Sequence, residues 1–248
     1  MKIKRSPRIA SFFFWYTKRL LNKRFEGVAL SLDSVAAFEA MCRTPQAIVY
    51  STHSSWWDVM LGFYIAGATG LALFAPMDPD QLKKYRILER IGLFPASEER
   101  PRNFIKMLAL IFAMKERSGL WITPQAEFTP NTRPNPQFKR GLDLAIRRHP
   151  DAALFAISID YTFWNESNPV VTVAIRSVDQ HESANREQRL RQELDDQTSA
   201  LLARSANRNP AEWMWLLQAK PRTVPIQDLA LKLRSVGSSS NIQRGHQR

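Results

Sequence analysis

From Ala47 to Val178 short apolar runs rich in β-branched residues alternate with longer helix-like stretches, and this alternation constrains the fold more than any other feature. Ala47–Tyr50, Leu71–Ala75, Leu93–Ala96, Leu120–Thr123, Ala152–Tyr161 and Val170–Val178 have the composition of strands. Between them, helices are predicted from about Ser55 to Ala66, over Pro79–Arg90 with Gly92 as the stop, over Phe104–Lys115, and over Phe138–Arg148. The uncharged stretch Val59–Met77 approaches the length of a membrane span. Three glycines and Pro76 within it favour helix, turn and strand instead. The expected fold is α/β, a layered mixed sheet flanked by helices.

The 248 residues suit one such domain with helical additions at both ends. Residues 1–32 form a basic, aromatic segment, read as an amphipathic membrane-contacting helix followed by the extended run Gly27–Leu32. Residues 33–180 are expected to form the core α/β domain, 181–234 a C-terminal helical segment that includes a Trp-rich helical turn over Ala211–Gln218, and 235–248 a polar tail with the composition of disorder. Cys42 is the only cysteine, so no intrachain disulfide can form, and a small buried apolar role is expected for it.

Thirty-five Lys and Arg against 23 Asp and Glu give a formal net charge of +12. A polyanionic partner is implied, either nucleic acid or anionic lipid. The block Phe12-Phe13-Phe14-Trp15-Tyr16, set between Lys2, Lys4, Arg5, Arg8 and Lys18, Arg19, Lys23, Arg24, suits the interfacial zone of a bilayer and is too short to span it. The same block also suits a helix packing its rings on the core, and both hold if they use different faces. Basic residues resume at Lys18 with no small-residue cleavage signature, so a secretory leader is not expected.

The chemistry-bearing feature is His53-Ser54-Ser55-Trp56-Trp57-Asp58. Residues five apart share neither a helix face nor a strand face, so the pair meets only if the chain changes structure between them. An apolar strand ends just before His53, and Ser54 or Ser55 can cap a helix whose first turn holds Asp58. A carboxylate on one ring nitrogen fixes the tautomer and makes the other nitrogen a base for an alcohol. Ser55 with Asp58 three residues on is equally an acidic capping box, and both interpretations stand at this point.

In this context the chain resembles the glycerolipid acyltransferases that include lysophosphatidic acid acyltransferases, over roughly Asn22–Val178. Their His-x-x-x-x-Asp motif follows a strand, as His53 and Asp58 do. Their second block, with Gly, Phe and a basic residue, is resembled by Ile91-Gly92-Leu93-Phe94-Pro95-Ala96 with Arg100 and Arg102 beyond. Their third, a Pro-Glu-Gly-Thr-Arg-like turn and then Phe-Lys-x-Gly, is resembled by Pro124-Gln125-Ala126-Glu127 and Phe138-Lys139-Arg140-Gly141. Gln125 stands for the usual glutamate, Ala126 for the glycine and Phe128 for the arginine, a role Arg133 could take if the loop folds back. The fourth block is loosely matched by Leu154-Phe155-Ala156-Ile157.

The resemblance implies acyl transfer from acyl-CoA or acyl carrier protein, as donor substrates and without metal or cofactor, to a hydroxyl of a lipid acceptor. His53 would be the base and Asp58 its partner, with backbone N–H groups of Ser54–Trp57 meeting the oxyanion. Arg100, Arg102, Gln125, Glu127, Arg133, Lys139 and Arg140 become candidate acceptor-binding residues, the cations for a phosphate. Lysophosphatidic acid is the default acceptor, and the altered third block admits another lysolipid, an acylated amine lipid or a glycosylated lipid. An anionic membrane surface is the implied partner, with no nucleic acid, and the implied place is the cytoplasmic face of the inner membrane, peripherally attached. Trp213 and Trp215 suit either a second interfacial contact or core packing.

Rival chemistries fit less well. The four histidines, His53, His149, His181 and His246, are not at metal-ligand spacing, and no Gly-x-Ser-x-Gly elbow is present. A non-catalytic basic protein that binds membrane or nucleic acid is the alternative from another class.

Overall fold

The computed structural model describes residues 2–97, 99, 101–132, 137–164, 167–180 and 185–219. Eight strands form one mixed sheet: β1 (Gly27–Ser31), β2 (Gln46–Ser51), β3 (Ala72–Met77), β4 (Leu93–Pro95), β5 (Ser118–Ile122), β6 (Ala153–Thr162), β7 (Val170–Val178) and β8 (Trp213–Gln218). Their order is β4-β3-β5-β2-β6-β7-β1-β8. The block β4-β3-β5-β2-β6 is parallel throughout, β7 turns antiparallel to β6, β1 lies parallel to β7, and β8 returns antiparallel to β1.

Helices cover both faces, which is why the central strands are apolar on both sides rather than alternating with polar residues. On one face α1 (Pro7–Arg24), α2 (Val35–Arg43), α3 (Trp57–Thr69) and α4 (Pro79–Lys84) share a core with Val49, Trp121, Phe155 and Ile157. On the other, α5 (Pro101–Phe112), α6 (Gly141–Arg148) and the first half of α7 (Arg186–Asn207) pack on Ile48, Tyr50, Leu120 and Leu154. Successive residues of β2 thus face opposite layers, as the two-residue strand period requires.

The α/β expectation holds at this level, and so does the helix, turn and strand over Val59–Met77. α3 ends where Gly70 adopts φ 73°, the left-handed conformation that closes a helix and frees the chain to enter β3. Among the described residues no helix is long and apolar enough to cross a membrane.

Four expectations are corrected. The Trp-rich stretch Trp213–Gln218 is not a helical turn but the edge strand β8, paired with β1. Only Pro210–Glu212 before it is helical, as one 3-10 turn. α2 follows β1 where no helix was expected, and Cys42 on it is partly rather than fully buried. The helix over Pro79–Arg90 breaks at Tyr85 into α4 and a 3-10 turn. The remainder of the C-terminal segment beyond Ala219 and the tail 235–248 lie outside the described residues.

The N-terminal helix uses two faces. Phe13 packs edge-on to Phe63 with ring centroids 5.1 Å apart, Phe14 stacks on Tyr64 at 5.8 Å, and Thr17 and Leu21 are buried. Phe12, Trp15 and Tyr16 of the same block are exposed. Gly67 of α3 lets the helices close together, since a Cβ there would lie 2.2 Å from the Phe14 ring.

Candidate active site

β2 sits where the sheet reverses its winding. Its onward connection runs through α3 on one face to β3, beyond β5, while β5 runs through α6 on the other face to β6 on the opposite side of β2. Such a point leaves a crevice at the carboxyl ends of the strands, the usual ligand position in open α/β sheets. His53 leaves β2 at that edge.

The strand end is held firmly. Thr52 N–H donates to Ile157 O at 3.1 Å, and Thr52 Oγ1 accepts from Ile159 N–H at 3.1 Å, so Thr52 continues the β2–β6 pairing up to His53. The chain then turns through Ser54–Trp56, and α3 begins at Trp57. Ser55 Oγ accepts from Trp57 N–H at 3.3 Å while Ser55 N–H donates to Asp58 Oδ2 at 2.8 Å. The second bond is the carboxylate half of a capping box, while the serine hydroxyl takes the N–H two residues on rather than three.

The same carboxylate meets the histidine. His53 Nδ1 lies 3.2 Å from Asp58 Oδ2. Capping and pairing are therefore one arrangement, in which the cap fixes the carboxylate that orients the imidazole. Asp58 is 1% exposed and receives a third donor, the Tyr161 hydroxyl, 2.5 Å from Oδ1. A buried carboxylate needs such donors to offset its lost hydration. Burial and the Asp58 charge both push the Tyr161 phenol well above the ordinary range, so it stays protonated and donates.

Tyr161 was not among the expected site residues. It reaches Asp58 because β6 runs on beyond the end of β2: Ser51 is level with Ile157, while β6 continues to Thr162, supported by its pairing with Val170 of β7. Phe25 packs against both Trp57, at 4.9 Å, and Tyr161, at 5.9 Å, and closes the carboxylate from the α1 side.

The other side of His53 is formed by the loop after β5. Thr129 N–H donates to His53 O at 2.7 Å, and Asn131 Nδ2 donates to Ile159 O at 2.7 Å, which ties this loop across the ends of β2 and β6. Phe128, 61% exposed, sets its ring 4.5 Å from the imidazole centroid. Ala126 adopts φ 58°, a left-handed conformation that costs an alanine about 1 kcal/mol and that glycine accepts freely.

The His53 side chain is 15% exposed, and its Nε2 has no hydrogen-bond partner among the described residues. Of the amides expected to meet an oxyanion, those of Ser55 and Trp57 are already engaged. Ser54 and Trp56 keep N–H groups without an acceptor among the described residues.

The remaining candidates separate. Lys139 N–H donates to Pro124 O at 2.7 Å, bringing Pro124–Glu127 and Phe138–Gly141 together, with the Lys139 and Arg140 side chains exposed beside it. Glu127 is exposed on the same loop. Gln125 points inward instead, buried beside Thr52, Thr129 and Thr198 at a cavity of about 20 Å³, with its Oε1 unpartnered among the described residues. Arg102 is exposed in the first turn of α5, beyond β4, and Arg100 and Arg133 lie outside the described residues. Among the described residues no three His, Cys, Asp or Glu side chains converge as metal ligands would.

No protein-family model matches this chain, and no curated protein matches it significantly.

Proposed function

We propose that this chain is an acyltransferase that moves a fatty acyl group from an acyl-CoA or acyl carrier protein thioester to a hydroxyl of a lysophospholipid or related lipid. One observation carries the proposal: a buried carboxylate with three donors holds a histidine by Nδ1 at the sheet's switch point and leaves its Nε2 without a partner among the described residues. That arrangement is the one a general base for an alcohol requires.

In the proposed reaction His53 Nε2 takes the proton of the acceptor hydroxyl as its oxygen attacks the thioester carbonyl carbon. Asp58 stabilises the imidazolium. The N–H groups of Ser54 and Trp56 meet the oxyanion of the tetrahedral intermediate. When the C–S bond breaks, the imidazolium returns its proton to the departing sulfur, and the products are an ester and a free thiol.

Lys139 and Arg140, held beside the loop that carries Phe128, are the proposed contacts for an anionic head group. The exposed Phe12, Trp15 and Tyr16, flanked by basic residues, are the proposed contact with an anionic membrane surface on the cytoplasmic side.

The test is thiol release from palmitoyl-CoA with a panel of lysolipids, for the wild-type protein and His53→Ala. Release that depends on the acceptor and falls at least about 10³-fold in the variant is expected. Equal release by both proteins would exclude the mechanism.

A further inference from the structure

At the β4 edge of the sheet a cleft of about 490 Å³ opens between the first residues of the chain and α5. Ile3 and Arg5 wall one side, and Phe74, Leu93, Phe94 and Met107 line the rest. The volume falls in the range of small-molecule sites, roughly 300–1,000 Å³. The wall is held in place, since Ser6 N–H donates to Arg90 O at 2.8 Å and Lys4 Nζ bonds both Glu89 carboxylate oxygens at 2.8 and 2.9 Å. Gly92, at φ 121°, lets the chain entering β4 close against β3, because a Cβ there would run into the backbone oxygen of Leu73.

The charges at the cleft do not balance. Glu89 is taken by Lys4, which leaves Lys2 and Arg5. Arg5 is only 15% exposed, and Glu116 approaches its Nη1 to 3.8 Å, too far for a hydrogen bond. Its Nε is buried with no partner among the described residues, and the guanidinium carbon lies 5.9 Å from the Phe74 ring centroid. Burial lowers the Arg5 pKa, against a partial opposing effect of Glu116. A cation withdrawn from water in this way is costly unless an anion meets it.

We propose that the cleft binds a single-chain amphiphile with an anionic head group, the head against Arg5 and Lys2 and the hydrocarbon along Phe74, Leu93, Phe94 and Met107. β4 stands three strands from β2, about 14 Å at the usual strand spacing, so this site is separate from His53. A chain arriving from the His53 side would bring its methyl end, which offers a guanidinium nothing. The ligand must carry its own charge into the cleft, and the proposal does not depend on acyl transfer at His53. A carboxylate and a phosphate share the required chemistry.

Calorimetric titration of the full chain with laurate, dodecyl phosphate and uncharged 1-dodecanol, each below its aggregation limit, tests this. Both anions are expected to bind at least tenfold more tightly than the alcohol, and the tighter of the two identifies the head group. Arg5→Gln, which removes the charge, and Ile3→Trp, which fills the cleft from its partly exposed wall, should each weaken anion binding at least tenfold, and His53→Ala should leave it unchanged. Circular dichroism confirms that each variant is folded, and either folded variant suffices. Absence of binding, equal binding of dodecanol, no loss in the folded variants, or loss in His53→Ala alone would overturn the proposal.

Discussion

Asp58 and Arg5 are both charged groups withdrawn from water, and the protein treats them in opposite ways. Asp58 receives hydrogen bonds from its own helix cap, from His53 and from a tyrosine 103 positions further along the chain. Arg5 has a buried Nε with no partner among the described residues and a carboxylate held off at 3.8 Å. A group whose counterparts are all internal is a finished device, set before any ligand arrives. A group left short is completed by something that comes from outside.

The sharpest way to break this comparison is Asp58→Asn. The amide keeps the shape but presents an N–H or a weaker acceptor to His53, and acceptor-dependent thiol release should fall on the order of 10³- to 10⁴-fold with the fold retained. A fall of less than tenfold would show that the internal network is only a helix cap.

Tyr161→Phe removes one of the three donors without changing the packing, and a kcat about tenfold lower with KM within about twofold is expected in steady-state assays. The variant also carries a pH signature. The folded-state pKa of Tyr161 is raised, so above the ordinary tyrosine value of about 10 the unfolded chain sheds a proton that the folded chain keeps. The stability that Tyr161 contributes is complete below that pH and is lost as pH rises past it. Urea melts between pH 8 and 11 should show a shallower alkaline loss in Tyr161→Phe than in wild type.

Arg5→Gln supplies the smallest effect and the clearest contrast. Removing a largely buried cation that has only a distant carboxylate for a partner should, in the absence of ligand, leave the unfolding free energy unchanged or raise it by about 1 kcal/mol, whereas Asp58→Asn should lower it. Denaturant titrations of the two variants side by side decide the matter, and a destabilised Arg5→Gln would mean that Arg5 is satisfied internally after all.

The sequence was informative where a signal is local. β7 falls on the predicted Val170–Val178, and β2 lies within one residue of the predicted run at either end, because β-branched runs buried on both faces leave little ambiguity. α2 escaped notice because its inward residues, Ala37 and Met41, are too few to mark a period in nine residues. Trp213-Met214-Trp215-Leu216-Leu217 mixes strand-favouring Trp with helix-favouring Met and Leu, and its pairing with the edge of β1 decides for the strand.

The candidate site divides in the same way. His53 and Asp58 are legible because their spacing bridges a strand end and a helix start. Tyr161 is not, because although the strand run to Tyr161 is visible, nothing local gives the register that pairs Ser51 with Ile157 and carries Tyr161 past the end of β2. The cations at Lys2, Lys4 and Arg5 were visible as charges, but their different partners depend on β4 and the residues around it, far along the chain.

The contact between Phe14 and Gly67 has a mechanical consequence. With a ring seated where a side chain would otherwise stand, α1 is fixed to the layer that carries His53 and cannot swing as a hinged arm would. Any surface that engages Phe12, Trp15 and Tyr16 therefore sets the attitude of the whole domain, as a keel sets that of a hull. The orientation of the crevice at β2 relative to those exposed rings is set by the packing of two helices.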